Sequence, residues 1–159
     1  MSAPYEEILD GESCVRPSPG RRHEEIVRRL HARIEASLAG VTVARLLPMR
    51  SRVELSARFQ VRPDLAIVTA ATNKLWLAAE IVSSDDHHAD TVIKKSAYEA
   101  SSLPRLWMVD PRYDNVEVYH GGPYGLALKH ILATREVLNE SLLPAFQYVI
   151  AELFQGSKV

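Results

Sequence analysis

The stretch VRPDLAIVTAATNKLWLAAEIV, residues 61–82, decides the fold that we expect for this chain. It contains two apolar runs, Leu65–Thr69 and Leu75–Val82, on either side of the polar segment 70–74. Two runs of this length and composition around a short polar segment are typical of a β-hairpin. We therefore predict two adjacent antiparallel strands joined by a turn centred on Thr72.

Two acidic residues occupy matching positions in this hairpin. With the turn centred on Thr72, Asp64 lies directly opposite Glu80. The same register pairs Ala66 with Ala78 and Val68 with Trp76. Directly opposed side chains have Cβ atoms about 5 Å apart, and like charges at that separation destabilise a sheet. A protonated carboxyl or a bound cation would relieve the repulsion, and oxygen ligands favour Mg²⁺ or Mn²⁺. The alternative is that both carboxylates point into water, and a one-residue shift of register would separate them.

A lysine-bearing helix is expected after the second strand. In this helix Asp90, Lys94 and Tyr98 are spaced by four and form one stripe beside the apolar face. The loop 83–88 is short enough to fold the helix back over the strand that carries Glu80. Lys94 would then reach an attacking water or a phosphate oxygen. The alternative is that Lys94 lies on a solvated face of the helix.

The other segments predict a mixed α/β arrangement. Apolar residues spaced by four predict a first helix that ends at Gly40, and similar patterns predict helices from about Ala89 to Ala100 and from Ala145 to Phe154. The second helix is expected to pack Val92, Ile93, Ala97 and Ala100 inward. Further strands are predicted at residues 41–47, 52–59, 106–110, 116–120 and 126–132. We expect an α/β (α+β) fold with a mixed β-sheet flanked by helices, in one domain of residues 1–159 whose tail frays at about 156–159.

The composition excludes several classes of protein. The 159 residues are 47% hydrophobic and 25% charged, as in an ordinary globular protein. A single cysteine, Cys14, excludes an intrachain disulfide and a thiolate metal cluster, and it fits a reducing compartment. The first residues are acidic, unlike a signal peptide, and the apolar runs are too short to span a bilayer. We therefore expect a cytoplasmic protein that does not bind a membrane.

The overall charge of −1 conceals a basic third of the chain. Between Gly20 and Arg62 the sequence has ten arginines and four glutamates. Arginine suits phosphate because the guanidinium group binds it with two hydrogen bonds. The alternative is a solvated arginine-rich helix face. The candidates for contact with nucleic acid are Arg21, Arg22, Arg28, Arg29 and Arg62.

Five segments together resemble the prokaryotic Uma-type family of restriction endonucleases, which has the PD-(D/E)XK nuclease fold. The segments, in chain order, are YEEILDGESCVRPSPGRRHEEIVRRL, VRPDLAIV, LAAEIVSS, DTVIKKSAYEASSLPRLWMVDP and LLPAFQYVIAELF. They are similar to the opening of the family, its PD strand, its second acidic strand, its Asp-Lys-Tyr helix with the following tryptophan strand, and its C-terminal helix. The likeness runs nearly from end to end, and it implies a restriction-endonuclease-like core.

The resemblance also implies a set of site residues. Asp64 and Glu80, with the backbone carbonyl of Ile81, would bind Mg²⁺ or Mn²⁺. The lysine expected two residues after the second acid is replaced by Val82, so Lys94 would supply that group from the helix. The implied activity is hydrolysis of phosphodiester bonds in nucleic acid, with DNA as the expected substrate.

Two neighbouring residues and the assembly complete these expectations. His23 matches the histidine that opens the first helix of the family, and Tyr98 matches the tyrosine of its Asp-Lys-Tyr helix. Both are expected near the site, although a structural role for His23 is an alternative. Many nucleases of this type work as dimers, so a homodimer is also expected. The competing function is a nuclease-like fold that has lost turnover and binds nucleic acid or another protein.

Overall fold

The hairpin that dominates the sequence lies within a six-stranded sheet in the computed structural model of this protein. The structure describes residues 3–83 and 87–156. Its strands are β1 (Tyr5–Leu9), β2 (Glu12–Arg16), β3 (Ala44–Leu46), β4 (Val53–Ser56), β5 (Phe59–Val61), β6 (Leu65–Thr69), β7 (Leu75–Ile81), β8 (Arg105–Asp110), β9 (Asn115–Gly122), β10 (Gly125–Ala133), β11 (Val137–Glu140) and β12 (Leu143–Val149). Its α-helices are α1 (Arg21–Ser37), α2 (Lys95–Ala100), which continues from a π-helical segment at Ala89–Lys94, and α3 (Ile150–Leu153).

Three sheets form the architecture. The largest has the strand order β10-β9-β8-β7-β6-β3, and β7 runs parallel to β8 whereas the other neighbours are antiparallel. A four-stranded sheet has the order β2-β1-β5-β4, and β11 pairs with β12. The parallel pair requires a crossover connection, and this connection contains the π-helical segment and α2. The expected mixed sheet flanked by helices is confirmed.

The register of the β6–β7 hairpin agrees with the sequence at its open end. Ala66 pairs with Ala78, as predicted, and Leu65 pairs with Ala79. Near the turn, a β-bulge pairs Val68 with Leu75, so the predicted pairing with Trp76 is wrong. The turn is closed by backbone hydrogen bonds between residues 69 and 73 and between 69 and 74, and the bulge takes up the extra residue that this tight turn leaves in β7.

Helix α1 covers one face of the large sheet. Its predicted apolar residues Ile26, Leu30 and Ile34 are fully buried against that face. Trp107 of β8 stacks on Phe146 of β12 in the same core, with ring centroids 5.6 Å apart. The opposite face packs against the four-stranded sheet and α2, in a second apolar cluster that includes Tyr98 and Leu106. This second face carries the charged residues described below.

Two helix predictions are corrected by the structure. In the second helix, Val92 is 48% exposed and Ala100 is also exposed, because the wider π-helical turn rotates the face that packs inward. The terminal helix predicted from Ala145 to Phe154 is mostly strand β12, and only its last turn is helical. Buried and exposed residues alternate through β12, which is the pattern of a strand.

The remaining predictions concern the ends of elements. The predicted strand 41–47 is shortened to β3, and the predicted strand 52–59 is a hairpin of β4 and β5. Strands β1, β2 and β11 were not predicted as such. Residues 157–159 of the tail expected to fray lie outside the described residues, as does Ser84. In the part of the chain that the structure describes, no helix is both long and apolar enough to cross a membrane.

Candidate active site

The structure brings Asp64, Glu80 and Lys94 into one buried cluster. Asp64 immediately precedes β6, Glu80 lies near the end of β7, and Lys94 ends the π-helical segment. Their exposed fractions are 2%, 2% and 0%. The Nζ atom of Lys94 lies 2.7 Å from Oε2 of Glu80. Oδ2 of Asp64 lies 2.8 Å from the backbone nitrogen of Ile81, the residue after Glu80. Because both carboxylates are almost fully buried, the alternative in which they point into water is wrong.

Lys94 is held between two carboxylates. Besides Glu80, its Nζ atom lies 2.7 Å from Oε2 of Glu7, a residue of β1. Burial on its own would lower the pKa of Lys94, but the two glutamates outweigh it and raise that pKa above its ordinary value. Lys94 is therefore an ammonium group inside the protein, and a solvated position for it is wrong.

Glu7 is one of the site neighbours that the sequence did not reveal. Its Oε1 accepts a hydrogen bond of 2.7 Å from Arg16, and its Oε2 accepts one of 2.6 Å from the backbone N–H of Arg62. Burial tends to raise the pKa of Glu7, but Lys94, this N–H group and Arg16 together lower it. Glu7 lies on the same face of β1 as the buried Leu9, two residues further on, and this period of two was the one available signal that Glu7 points inward.

Arg16 links Glu7 to the helix that carries Lys94. Its second guanidinium nitrogen donates to Oδ1 of Asp90 at 2.8 Å, and Oδ2 of Asp90 accepts from the backbone N–H of Ser83 at 3.1 Å. The stripe of Asp90, Lys94 and Tyr98 therefore faces the interior rather than lying beside the apolar face. Carboxylates that accept charged and backbone donors are held in fixed positions.

Asp64 is held by the backbone and by Arg50. Its Oδ2 accepts from the N–H of Ile81 at 2.8 Å, and its Oδ1 accepts from Nε of Arg50 at 3.0 Å. Arg50 also pairs with Glu24 of α1. Arg50, like Arg16 and Glu24, was not among the predicted site residues.

His23 lies next to this acid, as expected. Its Nε2 atom is 3.0 Å from the carbonyl oxygen of Ile81 and 3.5 Å from Oδ2 of Asp64. A carbonyl oxygen only accepts hydrogen bonds, so the ring proton lies on Nε2. Nδ1 can then accept from Arg50 at 3.5 Å. His23 thus contacts the two groups that would hold a metal, and it connects α1 to them.

Glu80 has an unusual protonation equilibrium. Burial, followed by the charges of Asp64, Asp90 and Glu7, raises its pKa to about 8 in spite of the opposing effect of Lys94. The hydroxyl of Tyr98 donates to Oε2 of Glu80 at 2.5 Å. Near neutral pH and without a further cation, this carboxyl therefore carries a proton for most of the time.

The charges of the cluster do not balance. Among the described residues, the cluster contains five carboxylates and three cations. When all eight groups are ionised, the cluster has an excess of two negative charges. The carboxylates are Glu7, Glu24, Asp64, Glu80 and Asp90, and the cations are Arg16, Arg50 and Lys94. Buried charge without a partner is costly, and one divalent cation would supply the missing charge.

The donor atoms fit such a cation. Asp64, Glu80 and the carbonyl of Ile81 offer only oxygen ligands, which magnesium and manganese prefer. A cluster of three or more histidine, cysteine, aspartate or glutamate side chains arranged to hold a metal does not occur within residues 3–83 and 87–156. The candidate is therefore a sparse site of two carboxylates and one carbonyl.

The five predicted nucleic-acid contacts divide into two groups. Arg22 pairs with Asp114 at 2.7 Å, Arg29 donates to the carbonyl of Leu153 at 3.1 Å, and Arg62 donates to that of Arg50 at 3.1 Å. These three have structural partners within the fold. Exposed Arg21 and Arg28 of α1 form no ion pair with any residue that the structure describes.

Comparison with known proteins identifies the fold. A family model with the description "Uma2: Putative restriction endonuclease" matches residues 3–151. The chain is also similar to a crystal structure from Anabaena variabilis ATCC 29413, described as a putative nuclease belonging to DUF820. The TM-score is 0.79 at 16% identity, over 96% of this chain and 91% of that one. No curated protein matches the chain.

Proposed function

Because the chain belongs to the Uma2 family of restriction endonucleases, we propose that the protein is a Mg²⁺- or Mn²⁺-dependent nuclease that hydrolyses phosphodiester bonds in DNA. The observation that carries the proposal is the buried cluster that contains Asp64, Glu80 and Lys94, in which five carboxylates meet three cations. A cytoplasmic location and a homodimer belong to the same proposal, and they rest on composition and on the family resemblance.

The residues of the chain have distinct parts in this reaction. Asp64, Glu80 and the carbonyl of Ile81 would hold the metal, which would polarise the scissile phosphate and make a water molecule more acidic. Glu80 would give up its proton when the site fills. Lys94 would keep the carboxylate of Glu80 in place and offset negative charge that develops on the phosphate. His23 would keep the carbonyl of Ile81 directed at the site.

The arginines of α1 would bind the substrate backbone. Arg21 and Arg28 are exposed and have no ion pair with a described residue, so their positive charge is available to phosphates. The affinity of such contacts falls steeply as salt rises. Arg22, Arg29 and Arg62 already bind groups of the protein, and they would contribute to the electrostatic field and make fewer direct contacts.

The experiment that tests the proposal is a cleavage assay with isosteric variants. Purified protein is incubated with labelled DNA and RNA in the presence of MgCl₂, MnCl₂ or EDTA. We expect cleavage of DNA that requires the metal, and we expect Asp64→Asn and Glu80→Gln to reduce it about a hundredfold or more. The control is Glu35→Gln, which removes the same charge as Glu80→Gln but at an exposed residue. This variant should keep full activity. Cleavage at the unmodified rate by both site variants would refute the proposal.

A second candidate function is a nuclease-like fold without turnover that binds nucleic acid. One observation favours it: the oxygen atoms that a metal would need already have protein partners. Arg50 and a backbone N–H bind Asp64, and His23 binds the carbonyl of Ile81. A metal titration followed by thermal melting separates the two candidates, since a ligand that binds the folded state raises the melting temperature. An unchanged melting temperature at millimolar Mn²⁺ would favour the inactive module.

A further inference from the structure

A cavity of about 390 Å³ opens beside the candidate active site. His23 and Val82 line it. His23 contacts Asp64 and the carbonyl of Ile81, and Val82 directly follows Ile81 in the chain. A ligand in this cavity would therefore lie next to the groups proposed to hold the metal. Its volume is within the range of small-molecule sites.

Among the described residues, every charged side chain that lines this cavity is basic, namely Arg16, Arg21, Arg22 and Arg112, together with the titratable His23. Arg16, Arg22 and Arg112 pair with Asp90, Asp114 and Asp110, so the positive charge available to a ligand is that of exposed Arg21. Four other cavities each include a glutamate in their lining, namely Glu54, Glu99, Glu140 and Glu35. A basic cavity beside the groups proposed to hold a divalent cation is the arrangement expected when a polyanion is bound next to that cation.

The rest of the lining is suited to a flat organic group. Tyr5 presents an aromatic ring, and Pro17, Pro19, Pro111 and Val82 present apolar surface. An isolated phosphate ion would leave these surfaces without a partner. A base and its sugar would cover them, because bases stack on aromatic side chains regardless of sequence. The lining therefore combines a basic part for a phosphate with an apolar part for a nucleoside.

We propose that this cavity binds one unpaired nucleotide of the substrate, adjacent to the scissile phosphate. The inference rests on the proposed function and deepens it, because a nucleotide within a fully paired duplex cannot enter a cavity without leaving its stack. The preferred substrate is then single-stranded nucleic acid, or a strand end or flap that offers an unstacked nucleotide.

Binding of a mononucleotide tests the cavity without any cleavage. The full chain is titrated calorimetrically with 5′-dAMP, with inorganic phosphate and with deoxyadenosine, in the absence of divalent ions. We expect dAMP to bind about tenfold more tightly than either partial probe, and we expect Arg21→Ala to weaken dAMP binding about fivefold or more. Arg135 is an exposed arginine distant from this lining in the turn after β10, so Arg135→Ala is the control that should bind normally.

Three results of the titration would overturn the inference. They are the lack of saturable dAMP binding at millimolar concentration, equal affinity for dAMP and phosphate, and equal weakening by Arg21→Ala and Arg135→Ala. A cleavage assay adds a second measurement, in which a single strand should be cut about tenfold faster than the same sequence in a duplex. Equal rates on both would overturn the inference while the proposed nuclease activity stands. The protein could also bind dAMP as expected, with weaker binding in Arg21→Ala, and yet cleave no substrate. That result would support the nucleotide-binding cavity and refute the proposed nuclease activity.

Discussion

The protonation of Glu80 makes a quantitative prediction about metal binding. Its pKa of about 8 means that the metal-free protein holds a proton on this carboxyl below that pH. A metal ligand has to be deprotonated, so ion binding must displace the proton. Each pH unit below 8 should then weaken the apparent affinity for Mn²⁺ about tenfold, or about 1.4 kcal/mol. Between pH 8 and about pH 6 the loss should be roughly fiftyfold, because the carboxyl is already half protonated at pH 8, and the affinity should level off above pH 8.

Isothermal titration calorimetry measures both the affinity and the proton. Titrations with Mn²⁺ in buffers of different ionisation enthalpy should show release of about one proton per ion at neutral pH. In Glu80→Gln binding should be weaker, and this proton release should be lost because the amide does not titrate. An affinity that does not depend on pH between about 6 and 8, with no proton released, would refute the assignment of Glu80 as a buried metal ligand.

Four further predictions follow from the same contacts. Glu7→Gln should lower the free energy of unfolding by about 3 kcal/mol in urea titrations, because it leaves two buried cations with one carboxylate fewer. The control is Glu6→Gln at the exposed neighbouring residue, which should change the free energy of unfolding by less than about 0.5 kcal/mol. Arg50→Ala should lower the melting temperature of the metal-free protein but increase the rise that Mn²⁺ produces, since an oxygen of Asp64 loses its protein donor; a smaller rise would contradict this account. Without metal, raising the pH from the ordinary glutamate pKa of 4.5 to about 8 should destabilise the wild type relative to Glu80→Gln. The reason is that a carboxyl whose pKa is raised by folding binds more protons in the folded state across that interval. Melting temperatures that change with pH by the same amount in both proteins would contradict this account. Phe146→Ala should cost about 3–5 kcal/mol in urea unfolding, because it removes the ring stacked on Trp107, and a cost below about 1 kcal/mol would mean that β12 does not form part of this core.

Local patterns predicted the part of the site that lies on the hairpin. The turn centred on Thr72 gave the register of β6 and β7 at their open end, and it thereby placed Asp64 near Glu80. Helical spacing associated Asp90, Lys94 and Tyr98 in one stripe. The prediction of one regular α-helix from Ala89 to Ala100 was wrong at one point, because the π-helical segment Ala89–Lys94 rotates the inward face. That rotation depends on tertiary contacts and leaves no periodic signal in a segment this short.

The partners from the N-terminal hairpin could not be found in this way. Glu7 is one of two consecutive glutamates in β1, and its partner Lys94 comes from a different element far along the chain. Arg16 ends an otherwise unremarkable strand. Ion pairs between distant elements have no fixed spacing, so only the folded arrangement identifies them. The prediction of a helix from Ala145 to Phe154 rested on the spacing of apolar residues, although the alternation of Phe146, Tyr148 and Ile150 favours a strand.

The ion pairs between the N-terminal hairpin and the crossover helix also affect the order of events during synthesis. Arg16 and Asp90 are separated by 74 positions in the chain. Contacts of high sequence separation form late, since a long loop must close first. During synthesis the first hairpin therefore leaves the exit tunnel of the ribosome before Lys94 and Asp90, which pair with Glu7 and Arg16. Glu7 and Arg16 can pair with Lys94 and Asp90 only after these have emerged, and the hydrolytic centre that we propose is completed only once Lys94 has been made.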